Sequence, residues 1–102
     1  MFDCMIRYIK NNYHSPEITL ETVAKEFGFN PSYLSRLFKR QMKMNFLNFL
    51  ADIRIEKAKE LLETRLYSVE QVSTMVGYQD VRYFFRFFKN KVGVTPRKYT
   101  GG

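Results

Sequence analysis

The chain has 102 residues, 45% of them hydrophobic and 17% aromatic, which is enough for one compact domain with its own core. Its net charge of +7 and pI near 9.7 point to a polyanionic partner, either nucleic acid or an anionic membrane surface. A single cysteine, Cys4, excludes an internal disulfide and fits a reducing compartment, and no apolar run approaches the roughly 20 residues that span a bilayer. With no secretory signal pattern at the N-terminus, the expected location is cytoplasmic.

Phe2, Met5, Ile6 and Ile9 predict a helix over 2–13 with one apolar stripe. His14-Ser-Pro16 ends it, since proline disfavours helix in the residue before it. His14 is the only histidine, so it has no partner for a two-histidine metal site or a Cys/His nucleophile pair, and it reads as a surface residue. Thr19 caps a second helix over 20–27, stopped by Gly28. Asn30-Pro31 opens a third over 31–42, with an N-cap followed by proline at the first helical position. There Leu34, Leu37 and Phe38 face inward, while Ser32, Ser35, Arg36 and Lys39 recur on the outer face.

Asn45 caps a long helix over 46–63, with Phe46, Phe49, Leu50, Ile53, Ala58, Leu61 and Leu62 as its apolar side. It contains no Gly or Pro, so it predicts a stiff strut on the order of 27 Å at about 1.5 Å per residue. Glu56, Lys57, Lys59 and Glu60 form its solvated face. After a short break at 64–67 come a fifth helix (69–76) and a sixth (81–91), the latter capped by Asp80 and ended by Gly93. On the sixth, Phe84, Phe87, Phe88 and Lys91 share one stripe. Arg82, Arg86 and Lys89 lie on the other side, with no carboxylate expected to pair with them. Thr95-Pro96 opens a last turn of helix near Tyr99, and Gly101-Gly102 reads as a tail.

The third and sixth helices repeat one another. Tyr33-Leu-Ser-Arg-Leu-Phe-Lys39 matches Tyr83-Phe-Phe-Arg-Phe-Phe-Lys89, with Tyr, Arg, the second Phe and Lys identical. Upstream, Glu21 and Val23 match Glu70 and Val72, and Gly28-Phe29 matches Gly77-Tyr78. Ile18, Thr19 and Val23, like Tyr67, Ser68 and Val72, spell a hydrophobic residue, an N-cap and a staple partner, and Ser68 with Gln71 fits a capping box. Each copy therefore encodes a short helix, a glycine turn and a second helix with a basic outer face, the helix-turn-helix unit. The fold expected is all-α with about seven helices. Two such units, at about 19–43 and 68–92, are joined by the long helix at about 46–63 within one domain over 1–100.

Charge is concentrated on these units. Arg36, Lys39, Arg40, Lys43, Arg82, Arg86, Lys89, Lys91, Arg97 and Lys98 fall in 30–43 and 80–98, against the single acid Asp80. The rest of the chain is slightly acidic. No glycine-rich phosphate loop, metal-ligand cluster, cofactor motif or nucleophile–base spacing stands out, so no enzyme is expected. A helical protein-interaction module, or one lying on anionic membranes, would need an apolar stripe left over after core formation, and only Val81 and Phe85 are candidates.

Arg54-Ile-Glu-Lys-Ala58-Lys-Glu-Leu-Leu62, Val76-Gly-Tyr78, Phe84, Phe88-Lys89 and Gly93-Val-Thr-Pro96-Arg-Lys-Tyr99 resemble the AraC/XylS family of bacterial transcription regulators over roughly residues 3–99. The wording around Tyr33-Leu-Ser-Arg and the long helix is similar to response-regulator members of that family. The resemblance implies two helix-turn-helix units that each insert one helix into the major groove of double-stranded DNA. It places base contacts on Ser32, Ser35 and Arg36, and on Val81, Arg82, Phe85 and Arg86. It also implies RNA polymerase as a partner, and a sensing or receiver domain that is missing from these 102 residues. Arg36, Arg82 and Arg86 suit guanine O6/N7. Lys39, Arg40, Lys89 and Lys98 suit phosphates, assisted by helix N-termini near Asn30 and Thr95. Two positions depart from the pattern. Lys43 stands where the family usually has glycine, which predicts a different end to the first unit. Phe85 replaces a small polar residue, and its ring either packs back on Tyr78 or the long helix, or meets a thymine methyl.

Overall fold

Short polar side chains fix where the helices begin. The computed structural model describes residues 2–101. It contains, among them, α1 (Phe2–Asn12), α2 (Leu20–Phe27), α3 (Pro31–Met42), α4 (Phe46–Glu63), α5 (Val69–Met75), α6 (Val81–Val92) and α7 (Pro96–Tyr99), and no strand. Thr19, Asn30, Asn45, Ser68, Asp80 and Thr95 each accept a hydrogen bond from a first-turn N–H of the helix that follows. Such a cap contributes about 1 kcal/mol. The capping box of Ser68 and Gln71 forms as expected, and Thr19 makes a second one with Thr22. That second box lacks the Glu or Gln by which such boxes are recognised. The apolar residues before the two caps differ in burial: Ile18 is buried in the first core cluster, whereas Tyr67 is exposed. Of the 101–102 tail, Gly101 closes the last turn through its N–H to the Lys98 carbonyl, and Gly102 lies outside the described residues.

The first unit ends as the second does, contrary to the expectation set by Lys43. Lys43 and Gly93 both take the left-handed conformation, with φ of 61° and 96°. Each donates its backbone N–H to a carbonyl four residues back, Lys39 at 3.0 Å and Lys89 at 2.8 Å. The side chain changes while the turn does not.

The core is divided in two along α4. Met5, Ile9, Val23, Leu34 and Phe38 pack with Phe46, Phe49 and Leu50 at its N-terminal end. Val72, Val76, Phe84 and Phe88 pack with Ile55, Ala58 and Leu62 further along. At about 100° per residue these two sets on α4 are centred roughly 150° apart around the helix. The strut therefore has two nearly opposite apolar faces, and the single apolar side expected from the sequence is corrected: Ile53 and Leu61 are only half-buried, while Ala51, Arg54 and Ile55 are buried. Lys57–Glu60 and Lys59–Glu56 pairs occupy its exposed side. The molecule measures 44 × 21 × 21 Å, and no described helix is long and apolar enough to cross a membrane.

Candidate nucleic-acid interface

Helix α3 buries Leu34 and Phe38, which turns Ser32, Ser35, Arg36, Lys39 and Arg40 outward, all exposed. Helix α6 does the same by burying Phe84 and Phe88: Arg82, Arg86 and Lys89 are exposed. Val81 and Phe85 are half-buried against the second core cluster. The Phe85 ring meets the edge of Phe84 at 6.4 Å, and the Arg97 guanidinium lies 5.8 Å from its centroid. Tyr78 instead pairs with Phe84 and Phe87. The Asn30 side-chain oxygen is taken by the N–H groups of Ser32 and Tyr33, which leaves its amide NH₂ free to donate. Thr95 Oγ1 accepts from the Lys98 N–H, and its own hydroxyl proton remains. Lys98 is exposed beside it.

The cations are not all unpaired, as the sequence had suggested for α6. Arg82 Nε and Nη2 donate to the two carboxylate oxygens of Asp80 at 3.1 and 2.8 Å. The cap residue is also the counter-ion, in an i to i+2 pair. These bonds, first the guanidinium and then the Arg82 backbone N–H, hold the Asp80 carboxyl below its usual range, and the same pair raises the Arg82 pKa. Lys91 pairs with Asp52 at 2.6 Å and Arg97 with Glu70 at 2.5 Å. Among the described residues, Arg36, Lys39, Arg40, Lys43, Arg86, Lys89 and Lys98 form no ion pair.

Two tyrosines join this surface without having been assigned to it. Tyr33 and Tyr83 hold equivalent places in the repeat and remain 44% and 52% exposed. Arg86 lies over the Tyr83 ring at 5.5 Å. Their identity in both copies, off the inward stripe, is the sequence signal that marks them.

A family model for a helix-turn-helix domain matches residues 23–101. The C-terminal domain of AraT, a response regulator from Geobacillus stearothermophilus, is 35% identical and superposes with a TM-score of 0.91 over 96% of this chain and 81% of that one. The chain belongs to the AraC/XylS-type helix-turn-helix family. A DNA-binding transcriptional dual regulator from Escherichia coli K-12 is similar at 30% identity and a TM-score of 0.80, covering 95% of this chain and 86% of that one. The arabinose operon regulatory protein of Escherichia coli K-12 is 33% identical over 94% of this chain and 33% of its own length. The chain spans about a third of the length of several curated relatives. In this AraC/XylS-type domain, the two repeat-related helices each present a polar and cationic face, and the strut between them holds both on one molecule.

Proposed function

We propose that this chain is the sequence-specific DNA-binding output domain of a transcription regulator, with α3 and α6 entering successive major-groove segments on one face of the duplex. One observation carries this: the same exposed Arg and Lys recur in both copies of the repeat, Arg36 with Arg86 and Lys39 with Lys89, and none of the four is ion-paired among the described residues. Major-groove segments one turn apart are roughly 34 Å from each other. A molecule 44 Å long can reach both.

In this arrangement Arg36, Arg82 and Arg86 address guanine O6/N7, a bidentate geometry that suits a planar guanidinium. Ser32 and Ser35 hydrogen-bond to base edges, and Val81 and Phe85 offer apolar contact to thymine methyls. Lys39, Arg40, Lys89 and Lys98 neutralise phosphates, with the Asn30 amide and the Thr95 hydroxyl as further donors. The chain itself has no catalytic role. RNA polymerase and a sensing or receiver domain elsewhere in the whole regulator are its proposed partners.

Selection of bound sequences from a random double-stranded DNA pool tests this. Two short boxes about 10 base pairs apart, centre to centre, are expected. Recovery of one box would restrict recognition to a single unit. No enrichment, with retention on anionic vesicles instead, would overturn the proposal.

A further inference from the structure

Arg54 lies on α4 at an angle between its two apolar faces, and only 7% of it is exposed. Its Nε donates to the Tyr13 carbonyl and its Nη2 to the Ser15 carbonyl, each at 2.8 Å. Both acceptors belong to the connection between α1 and α2, which leads into the first unit. The guanidinium also sits 4.9 Å from the centroid of the Tyr78 ring, in the turn between α5 and α6 of the second unit. Gly77 closes the same junction: a Cβ there would come within 2.7 Å of the Tyr13 carbonyl oxygen and 2.8 Å of Arg54 Nη2. Tyr13 itself packs against both core clusters. Elsewhere among the described residues, no helix of one unit packs extensively on a helix of the other, and α4 is the helix that packs extensively on both.

We propose that Arg54 is a positioning residue that locks the angle between the two helix-turn-helix units, and thereby sets the spacing of the two DNA boxes the domain accepts. The spacing half of this rests on the DNA-binding function proposed above; the locking half does not. A helix joined to two small cores through opposite faces leaves each core free to rock about its own contact. A third point of attachment removes that freedom, and Arg54 supplies it by gripping one unit through two carbonyls and the other through an aromatic face. Burial disfavours its charge and lowers its pKa, so the site must return what water provided. Two carbonyl acceptors and the Tyr78 face do so, and no carboxylate takes part. The acceptors lie along one edge of a planar fork, a demand that lysine, with a single point of charge, does not meet.

The test begins without DNA. Spin labels on Gln41→Cys and Asn90→Cys, in a Cys4→Ser background, report the distance between α3 and α6 by pulsed dipolar spectroscopy. Both sites are exposed and carry none of the proposed DNA contacts. Arg54→Lys, Arg54→Met and Gly77→Ala should each keep the helical circular dichroism spectrum while broadening or displacing the distance distribution. Gly77→Ala attacks the junction from the other unit, so a variant that fails to fold does not remove the test. An unchanged distribution in the folded variants would overturn the lock.

The second arm measures affinity for a selected site and for the same site with its boxes one base pair closer or farther. Wild type should lose about tenfold or more, because the duplex must twist to follow a rigid pair of helices. Arg54→Lys should lose less than about threefold relative to its own native-spacing affinity. Equal losses in both proteins would overturn the spacing role. If wild type bound no DNA, the proposed function would fall while the distance measurement still judged the lock.

Discussion

Lys43 and Gly93 hold the same place in the repeat, and their left-handed backbones turn a substitution at either into a measure of strain. A side chain in that conformation costs roughly 1–2 kcal/mol, partly offset by the freedom glycine gains when unfolded. Lys43→Gly should therefore stabilise the domain by about 0.5–1 kcal/mol in urea denaturation. Gly93→Ala should destabilise it by about 1 kcal/mol, since its Cβ would meet nothing within 4 Å. Gly77→Ala should cost more than about 3 kcal/mol, because the strain adds to disruption of a charged hydrogen bond at Tyr13 and Arg54. Equal losses at Gly77 and Gly93 would show that the junction yields. Asp80 gives a residue-level dependence on acid. Its carboxyl is held below the usual 3.8 by Arg82. A depressed carboxyl contributes stability above its unfolded pKa, and that contribution disappears as pH falls through the folded value. The domain should thus weaken below about pH 4, and Asp80→Asn should make that fall shallower. Parallel pH profiles of the two proteins would show that the pair contributes nothing.

Helices α3, α4 and α6 were legible at the level of the element, because their starts are written in local chemistry: Asn-Pro, Asn and Asp at the caps. On α3 and α6 the inward residues followed from spacing, and Phe38 and Phe88 are fully buried as expected. What escaped was whatever depends on distant partners. Periodicity finds one stripe per helix, whereas α4 is packed on two nearly opposite faces. Arg54 is a charged residue whose acceptors are backbone carbonyls 41 and 39 positions away, and carbonyls have no sequence signature. Asp80 was visible as a cap, which hid its second role beside Arg82. The inward pair gives the element-scale prediction. Phe88 lies between Phe84 and Tyr99, with ring centroids at 5.7 and 5.4 Å. Phe38 meets Phe46 and Phe49 at 5.5 and 5.2 Å. Truncating either to alanine should cost about 3–5 kcal/mol in thermal melting. Because they sit in separate clusters, the two losses should add within about 0.5 kcal/mol. A melting point that either substitution leaves alone would contradict the burial.

Over the whole molecule, net charge of +7 says less about DNA than the division between paired and unpaired cations does. Lys89 and Lys91 are two residues apart on α6, yet only Lys91 is bound, to Asp52 on α4. A phosphate contact releases a condensed counter-ion, so removing one should lower the slope of log affinity against log salt by about one unit. Lys89→Ala should do this and weaken binding to every duplex alike. Lys91→Ala should leave the slope unchanged, since its charge is spent inside the protein. Arg36 offers the third behaviour. If its guanidinium reads a guanine, Arg36→Ala should cost about 1–3 kcal/mol on the selected site and relax preference at one base pair, with less effect on unrelated DNA. Titrations of the three variants at several salt concentrations, against a selected and a scrambled duplex, separate these outcomes. A slope change at Lys91 would mean that its ion pair opens on DNA. Uniform weakening at Arg36 would move that residue from the bases to the backbone.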